Sequence, residues 1–346
     1  MHVLVTGNQG YIGSVLSRIL IDKGYEVTGF DIGYFANCYF GASDQLERQN
    51  TQICKDIRKV DEEDLVDVDA IIHLAALSND YLGELSPGLT EQINLGGTSR
   101  LAKLAKKCGV KRFIYSSSQS MYGVSEVTEE LAEDNSKKNP VTAYAKTKWD
   151  AECFLKKLNG DDFTVVCFRP STVFGISPRL RCDVVFNNLV ACAYTTGKIE
   201  IKSDGTPWRP VVHVEDVCAA YIAGLQAPDD LVGGRSYNVG IRDGNYSVKD
   251  LAEAAQKAVP GSELTFTGEH GGDSRTYRVS FDRILSELGD YYRPTWNLKR
   301  GGEELVTAFQ EWGFTERDFR GAATNRLQKI NSLLSTGQLN SDLEWK

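Results

Sequence analysis

Short apolar runs alternate with stretches of helical periodicity along the first half of the chain. The first run, at residues 3–5, is followed by apolar residues at helical spacing from Ile12 onward. Further strand-length runs are found at residues 25–30, 51–54, 70–76, 111–115 and 163–168. Helical periodicity returns over residues 90–107 and again from Ala143. Because strands that alternate with helices in this way form a parallel sheet covered on both faces, the pattern predicts an α/β, doubly wound fold.

The alternation loosens from about residue 174, where shorter segments carry more Arg, Trp and Gly. Helical spacing is recognisable there at residues 187–194, 215–225, 248–259, 282–288 and 303–311. We therefore predict a first domain over residues 1–173, built on the parallel sheet. A smaller C-terminal α+β domain over residues 174–346 would mainly hold the substrate. The sequence leaves open whether segments of the second half return to the first domain.

A glycine-rich turn joins the first predicted strand to the first predicted helix. Gly7, Gly10 and Gly13 are spaced as GxxGxxG, and Asp31 ends the second strand, as in a Rossmann-type dinucleotide-binding domain. The glycines suit a tight turn, a close backbone approach to a pyrophosphate and close helix packing. Asp31 can accept both adenosine ribose hydroxyls and would repel a 2′-phosphate. No Arg or Lys follows before Arg48, so the motif favours NAD over NADP; the alternative is a tight turn without chemistry.

A second motif lies on the helix predicted to begin near Ala143. Tyr144 and Lys148 are four residues apart and so share one helix face. A nearby ammonium, the helix N-terminus and a cationic nicotinamide ring would each favour a phenolate at Tyr144. That oxygen could then take a proton from a substrate hydroxyl, with Ser118, at the end of the fifth strand, sharing the hydrogen bond. Taken alone, Tyr144 and Lys148 could simply lie on a solvent-exposed helix face. Their combination with the dinucleotide motif favours a catalytic role.

Composition and charge narrow the possible partners. The 346 residues carry a net charge of −8, which argues against nucleic acid and anionic membranes as partners. No apolar run is long enough to span a membrane, and the first strand begins too early to leave room for a signal peptide. The eight cysteines show no pairing pattern and favour buried thiols in a reducing cytoplasm. The four histidines lack metal-ligand spacing, so we expect no metal.

These motifs together resemble the extended short-chain dehydrogenase/reductases, and among them the nucleotide-sugar epimerase/dehydratase family (UDP-glucose 4-epimerase-like). The similarity extends from Met1 to about Asp282. The matching motifs are Gly7–Gly13, Asp31, residues 56–58, residues 73–76, Asn94, residues 116–118 and 121–123, Tyr144 with Lys148, residues 169–170, residues 187–189 and residues 205–216. The resemblance implies bound NAD, a nucleotide-diphosphate sugar as substrate, and a homodimer formed through the helices around residues 95–107 and 143–158.

The resemblance also assigns site residues by position. The residues expected to line the cofactor are Gly7, Gln9, Gly10, Tyr11, Ile12, Gly13, Asp31, Asp56, Ile57, Leu74, Ala75, Ala76, Asn94, Ser116, Tyr144 and Lys148. Those expected to contact the substrate are Ser78, Asn79, Ser118, Ser120, Tyr144, Thr172, Asn188, Arg209 and either Arg275 or Arg278. The arginines also follow from charge, because an acidic protein needs fixed guanidinium groups to hold a diphosphate.

One departure from the family pattern bears on the reaction. The family's 4,6-dehydratases carry an Asp-Glu pair directly after the catalytic hydroxyl, and Gln119 and Ser120 stand there. The favoured hypothesis is therefore an epimerase, most simply acting at carbon 4 of the sugar. The alternatives are a nucleotide-sugar dehydrogenase or keto-reductase with an exchanging cofactor, an atypical dehydratase using an acid such as Asp80, and a non-catalytic NAD-binding relative.

Overall fold

A computed structural model describes residues 1–41, 51–125, 129–268 and 276–346. Within these ranges, seven parallel strands form the central sheet, which confirms the predicted α/β, Rossmann-type fold. Across the sheet the strands follow the order Ser236–Val239, Thr164–Pro170, Arg112–Ser116, Ala70–His73, His2–Thr6, Glu26–Asp31 and Thr51–Cys54. The central strands are buried on both faces, which explains why they appear in the sequence as continuous apolar runs.

Side chains that alternate along the first strand enter two different cores. Val3 and Val5 pack into a cluster on one face of the sheet, and Leu4 packs into a cluster on the other. The α-helices cover both faces of the central sheet and also form much of the second half of the chain. They are Tyr11–Asp22, Asp80–Glu84, Pro87–Thr90, Thr98–Lys107, Ala143–Lys156, Val185–Thr196, Val214–Gln226, Asp229–Val232, Val248–Ala258, Asp282–Glu287, Leu298–Glu311, Glu316–Phe319 and Arg326–Ser335. Short 3₁₀ turns are formed by Ile57–Lys59, Glu63–Leu65 and Gln119–Tyr122.

Two predicted elements have different boundaries in the structure. The fourth strand ends at His73 rather than at residue 76, and the chain then turns so that the Ala75 N–H donates to Thr6 Oγ1 at 3.2 Å. The helix predicted over residues 90–107 begins as a wide π-helical turn, Glu91–Gly97. A Cβ at Gly97 would lie 2.9 Å from a methyl carbon of Ile57, so the glycine permits this close approach.

Among the described residues, three smaller sheets lie apart from the central one; most of their strands come from the second half of the chain, which has its own core. In the first, Trp208–His213 lies between Asn245–Ser247 and Thr172–Phe174. In the second, Glu263–Phe266 pairs with Lys198–Ile201, and in the third, Arg278–Val279 pairs with Glu130–Leu131. Phe174, Phe186 and Phe309 belong to a third apolar cluster between them. The strand Ser236–Val239 joins the edge of the central sheet, and the division at residue 173 stays a prediction.

The C-terminal helix Arg326–Ser335 was not predicted from the sequence. Its apolar residues Ile330 and Leu333 pack into the same cluster as Leu4 of the first strand. Nothing in the local sequence indicates this partner, because the contact joins opposite ends of the chain. The C-terminus therefore lies against the nucleotide-binding half.

Three other expectations can be compared with the described residues. Across the described parts of the chain, no helix combines the length and apolar character needed to cross a membrane. Cys38, Cys167, Cys182 and Cys218 are buried as expected. The prediction of uniformly buried thiols is wrong, since Cys54 and Cys108 are exposed at a strand end and a helix end. The loop predicted over residues 32–50 falls partly outside the described residues, from residue 42 to residue 50.

Candidate functional site

A cavity of about 520 Å³ opens at the carboxyl edge of the central sheet. This is where a doubly wound sheet binds its ligands, because the strand ends and the following loops meet there. The predicted site residues that line the cavity are Gly7, Gly10, Tyr11, Ile12, Gly13, Asp31, Asp56, Ile57, Leu74, Ala75, Ala76, Ser78, Asn79, Ser116, Ser118, Ser120, Tyr144, Lys148, Thr172, Asn188 and Arg209. The fold thus brings together residues that are up to two hundred positions apart in the sequence.

The glycine turn has no room for side chains. Gly7 has a φ of 74°, and a Cβ there would lie 2.8 Å from the backbone nitrogen of Ala75. A Cβ at Gly13 would lie 2.1 Å from the carbonyl oxygen of Gly7, and one at Gly10 would lie 3.1 Å from the same oxygen. The helix Tyr11–Asp22 begins directly after this turn, so its N-terminal N–H groups face the cavity edge. This cradle fits the pyrophosphate of a dinucleotide.

Replacing Gly13 by Ala tests the cradle. The added methyl would meet backbone atoms that cannot move aside without opening the turn. We expect the free energy of unfolding to fall by about 1–3 kcal/mol, and NAD affinity to fall with it. Chemical denaturation and NAD titration measure the two effects. The control is Gly88→Ala, where the methyl meets open space and unfolding should change little; equal effects at both positions would contradict the account.

Asp31 is held at the cavity wall by backbone donors. Its two carboxylate oxygens accept from the N–H groups of Gly33 at 2.8 Å and of Gln9 at 3.1 Å. Burial raises the pKa of Asp31, and these two hydrogen bonds oppose that rise. A carboxylate in this position suits ribose hydroxyls, so the residue fits the adenosine end of NAD. Gln9 itself contributes its backbone to Asp31 and does not line the cavity.

Two other predicted cofactor residues are tied into internal contacts. The Asp56 carboxylate lines the cavity but accepts from the Arg58 guanidinium, with the closest pair of atoms 2.6 Å apart. Asn94 does not line the cavity and is 1% exposed. Its amide accepts from the Leu77 N–H at 2.8 Å and donates to the Leu77 carbonyl at 3.2 Å. Asn94 therefore fixes the loop after the fourth strand, and the cofactor contact predicted for Asp56 stays a prediction.

Tyr144, Ser118 and Lys148 meet on one wall of the cavity. The helix Ala143–Lys156 is capped by Thr142, whose hydroxyl accepts from the Ala145 N–H at 3.1 Å. Tyr144 and Ser118 both line this wall, and the Ser118 side chain influences the Tyr144 phenol. Burial raises the pKa of Tyr144 to about 12, while the Ser118 side chain and the positive charge of Arg181 act against that rise.

Lys148 is a buried amine beside this pair. Its Nζ donates to the Ser116 carbonyl at 2.7 Å and lies 4.9 Å from the centre of the Tyr115 ring. Burial lowers the pKa of Lys148 to about 7, since a low-dielectric site disfavours the ammonium. Burial thus favours the neutral amine at Lys148, which is typical of lysines in functional sites.

The lowered pKa of Lys148 gives a stability prediction. Between pH 7 and 10.5 the unfolded chain binds a proton at this lysine that the folded chain does not, so its contribution to folding stability rises with pH. We expect Lys148→Met to stabilise the ligand-free protein relative to wild type most strongly below pH 7, and progressively less up to pH 10.5. Urea denaturation at pH 6, 8 and 10 measures this, with Lys146→Met as the exposed control on the same helix. A difference independent of pH would contradict the burial effect.

The substrate end of the cavity contains Asp80, which was named above as a possible acid, and two charged residues that were not predicted, Arg181 and Asp183. Arg181 lines the cavity, and its guanidinium donates to the Asp183 carboxylate at 2.7 Å and to the Ser78 hydroxyl at 3.4 Å. Asn79 donates to the same carboxylate at 3.1 Å. Asp80 also lines the cavity, and its carboxylate accepts from the hydroxyl of Thr142. Their only signal in the sequence is their position in loops after strands.

Two predicted substrate arginines cannot be placed in the cavity. Arg278 donates to Glu130 at 2.7 Å, lies 5.0 Å from the Trp208 ring and does not line the cavity. Arg275 lies outside the described residues. Arg209 and Asn188 line the cavity, and Asn188 donates to the carbonyl of Cys182 at 2.8 Å. The observed diphosphate candidates are therefore Asn188 and Arg209.

Comparisons with known proteins identify the family of this chain. The model of the NAD dependent epimerase/dehydratase family matches residues 3–240. UDP-glucose 4-epimerase from Bacillus subtilis is 31% identical in an alignment that covers 90% of this chain and 96% of that protein. The structure of UDP-glucuronic acid 4-epimerase from Bacillus cereus, in complex with UDP-glucuronic acid and NAD, is 25% identical with a TM-score of 0.77, covering 90% of this chain and 99% of the other.

A third comparison concerns the fold alone. The structure of an NAD-dependent NDP-hexosamine 5,6-dehydratase involved in tunicamycin biosynthesis has a TM-score of 0.77 at 21% identity. The match covers 90% of this chain and 98% of the dehydratase. Epimerases and dehydratases thus share this architecture, and the family match confirms NAD as the cofactor predicted from the glycine turn and Asp31. The chain belongs to the NAD-dependent epimerase/dehydratase family of nucleotide-sugar enzymes.

Proposed function

We propose that this chain is an epimerase that inverts carbon 4 of a hexose linked to a nucleoside diphosphate. The observation that carries the proposal is that Tyr144, Ser118 and Lys148 line the same cavity as the glycine turn and Asp31. A proton-transfer group and a dinucleotide cradle in one cavity suit the reversible oxidation of an alcohol. Bound NAD supplies the hydride acceptance and return that this chemistry requires.

Tyr144 is the proposed acid/base. Its phenolic oxygen takes the proton of the carbon 4 hydroxyl and returns a proton once the sugar has turned over in the cavity. The pKa of Tyr144 is raised to about 12 by burial in the ligand-free site, so the tyrosine needs nearby positive charge to act as a base. Arg181 supplies one such charge, and protonated Lys148 would supply another. Ser118 orients the reacting hydroxyl by sharing its hydrogen bond.

Lys148 and Ser116 form the proposed contact with the nicotinamide end. The Ser116 carbonyl fixes the Lys148 amine at 2.7 Å, and the Ser116 hydroxyl accepts from Tyr221 at 2.7 Å. Both residues line the cavity next to Tyr144. A lysine held in this way would donate to ribose hydroxyls and keep its charge close to the phenolic oxygen.

The residues after Ser118 support epimerisation over elimination of water. Gln119 is 1% exposed, and its amide nitrogen donates to the Arg169 carbonyl at 3.0 Å. Ser120 uses its backbone N–H to donate to Ser118 Oγ at 3.1 Å. Neither side chain is an acid or base at neutral pH, whereas the elimination of water needs both. Asp80 also lines the cavity, and its negative charge raises the pKa of Tyr144, so it opposes the phenolate.

The nucleotide end would be held by Asn188 and Arg209. Both line the cavity away from the glycine turn, on the Val185–Thr196 helix and the Trp208–His213 strand. A guanidinium recognises a diphosphate through charge-assisted hydrogen bonds. This proposal leaves Arg278 to its ion pair with Glu130.

Product analysis without added cofactor tests the proposed reaction. Purified protein is incubated separately with UDP-glucose and UDP-glucuronic acid, and the sugar is identified by proton NMR. We expect conversion of one of them to its 4-epimer with no NAD supplied. A 4-keto-6-deoxy product would instead indicate an atypical dehydratase, and turnover only with added NAD would indicate a dehydrogenase or keto-reductase. No product from either sugar, with NAD present, would contradict the proposal and favour a binding function.

Two further expectations belong to this proposal. A homodimer formed through the Thr98–Lys107 and Ala143–Lys156 helices is proposed from the family resemblance. A cytoplasmic location is proposed from the cysteine-rich composition without a pairing pattern. Sedimentation at micromolar concentration tests the first, and a monomeric mass would contradict it.

A further inference from the structure

The last 21 residues, 326–346, lie against the loops that frame one end of the cavity; we call them the C-terminal segment. The Trp345 indole donates to the carbonyl of Ile32 at 2.7 Å, and the Tyr34 hydroxyl donates to the carbonyl of Leu343. Ile32 and Tyr34 belong to the loop that follows Asp31, and both line the cavity. The segment is therefore fastened directly to the predicted adenosine side of the site.

A second loop is fastened to the same segment. The Arg58 guanidinium, which pairs with Asp56, also donates to the carbonyl of Asp342 at 2.9 Å. Lys59 forms an ion pair of 2.7 Å with Glu344. Because Asp56 lines the cavity, the segment connects the loop after the second strand with the loop after the third. These are the two loops between which the adenosine end of a dinucleotide would lie.

Arg326 extends from this segment into the cavity wall. It is 2% exposed, and its guanidinium donates to the carbonyl of Arg179 at 2.6 Å. The guanidinium carbon lies 4.5 Å from the centre of the Phe35 ring, and both residues line the cavity. Its positive charge acts on Asp31, where it favours the carboxylate form. Burial and the neighbouring Arg181 lower the pKa of Arg326 to about 10, so an added anion would be favourable there.

We propose that the C-terminal segment holds the adenosine half of bound NAD in place, with Arg326 contacting that half and Trp345 fastening the loop after Asp31. The inference rests on the proposed function only in taking NAD as the ligand. A cofactor regenerated within the site must stay bound between turnovers, and a segment that closes its adenosine end slows its release. Arg326 lies outside residues 3–240, which match the family model.

The test separates the two ends of the cofactor by using AMP as a probe for the adenosine half. Protein freed of nucleotide is titrated with AMP and with NAD, and NAD release is followed after dilution. Arg326→Lys keeps the charge and loses the planar stack on Phe35, so we expect AMP and NAD affinities to fall by the same factor, about tenfold. Trp345→Ala removes an exposed side chain and its hydrogen bond, and we expect NAD release to accelerate about fivefold.

Matched controls distinguish a local contact from a general loss of stability. Gln328→Ala lies on an exposed position of the same helix as Arg326, and Lys346→Ala lies next to Trp345; both should bind like wild type. Lys148→Met should weaken NAD and leave AMP affinity unchanged. If Arg326→Lys fails to fold, the release rate of Trp345→Ala decides. AMP affinity and NAD release equal to wild type in the folded variants, or a loss for NAD without a loss for AMP, would overturn the proposal.

These measurements do not depend on sugar turnover. Epimerisation assayed with saturating NAD reports the proposed function separately. Faster NAD release from Trp345→Ala in a protein that never converts a UDP-sugar would still support the segment's role while contradicting the epimerase. If Trp345→Ala released NAD at the wild-type rate while the protein epimerised a UDP-sugar, the segment's role would be contradicted and the epimerase supported.

Discussion

Tyr144→Phe is expected to lower kcat for sugar epimerisation by about a thousandfold while NAD stays bound. The variant keeps the aromatic ring on the cavity wall and loses only the phenolic hydroxyl. Because that oxygen is the proposed proton acceptor, its loss should affect kcat much more than KM. Steady-state kinetics and the NAD content of the denatured protein measure the two quantities.

The control for Tyr144→Phe is the same substitution at Tyr291, which is 37% exposed and remote from the cavity lining. Tyr291→Phe should retain wild-type kcat. Full turnover in Tyr144→Phe would contradict the proposed acid/base. Equal losses of kcat and bound NAD would instead indicate that the hydroxyl supports the cofactor site.

Glu152→Gln is expected to lower the free energy of unfolding by about 3–5 kcal/mol. Glu152 and Arg169 form an ion pair of 2.5 Å in which neither side chain is more than 1% exposed. Ser117 and Ser236 also donate to the carboxylate, at 2.6 and 2.7 Å. Removing the negative charge leaves a buried guanidinium without its paired carboxylate, because the other hydrogen-bond acceptors of Arg169 among the described residues are neutral: the Tyr122 hydroxyl and the Glu133 carbonyl.

The same substitution at an exposed ion pair is the matched control. Glu62 pairs with Lys107 at 2.5 Å, with both side chains more than half exposed. Glu62→Gln should change unfolding by only about 0–1 kcal/mol, since solvent screens such pairs. Urea denaturation of both variants tests the difference. Equally small effects of both substitutions would show that the Glu152–Arg169 pair does not stabilise the contact between the helix Ala143–Lys156 and the strand Thr164–Pro170.

The parts of the site that could be predicted from the sequence are those set by local geometry. The glycine turn is specified by backbone room within seven residues, and Tyr144 and Lys148 share a face because one helical turn separates them. Strand ends were also identifiable, because a buried parallel strand is a continuous apolar run. Ser116 and Ser118 therefore line the cavity as expected.

The residues missed are those brought in from separate elements. Arg181 and Arg326 enter the cavity from a loop and from the last helix, and no spacing rule connects either with the glycine turn. The family resemblance, supported by residue type, suggested Arg275 or Arg278, and the charge of Arg278 is paired with Glu130 instead. Asn94 was assigned by position to the cofactor, and its amide is occupied by the Leu77 backbone. The tertiary structure determines which partner each of these polar side chains contacts, and a single sequence does not identify that partner.

The most direct measurement of the central claim follows the hydrogen on carbon 4. UDP-glucose carrying deuterium at that carbon is incubated with the protein in ordinary water, without added NAD, and the product is examined by NMR and mass spectrometry; the same is done with UDP-glucuronic acid. The account predicts that one of the two gives its 4-epimer with deuterium retained at carbon 4, since the hydride leaves and returns within one closed site. A 4-epimer that has exchanged this deuterium for solvent hydrogen, or a dehydrated product, would contradict it.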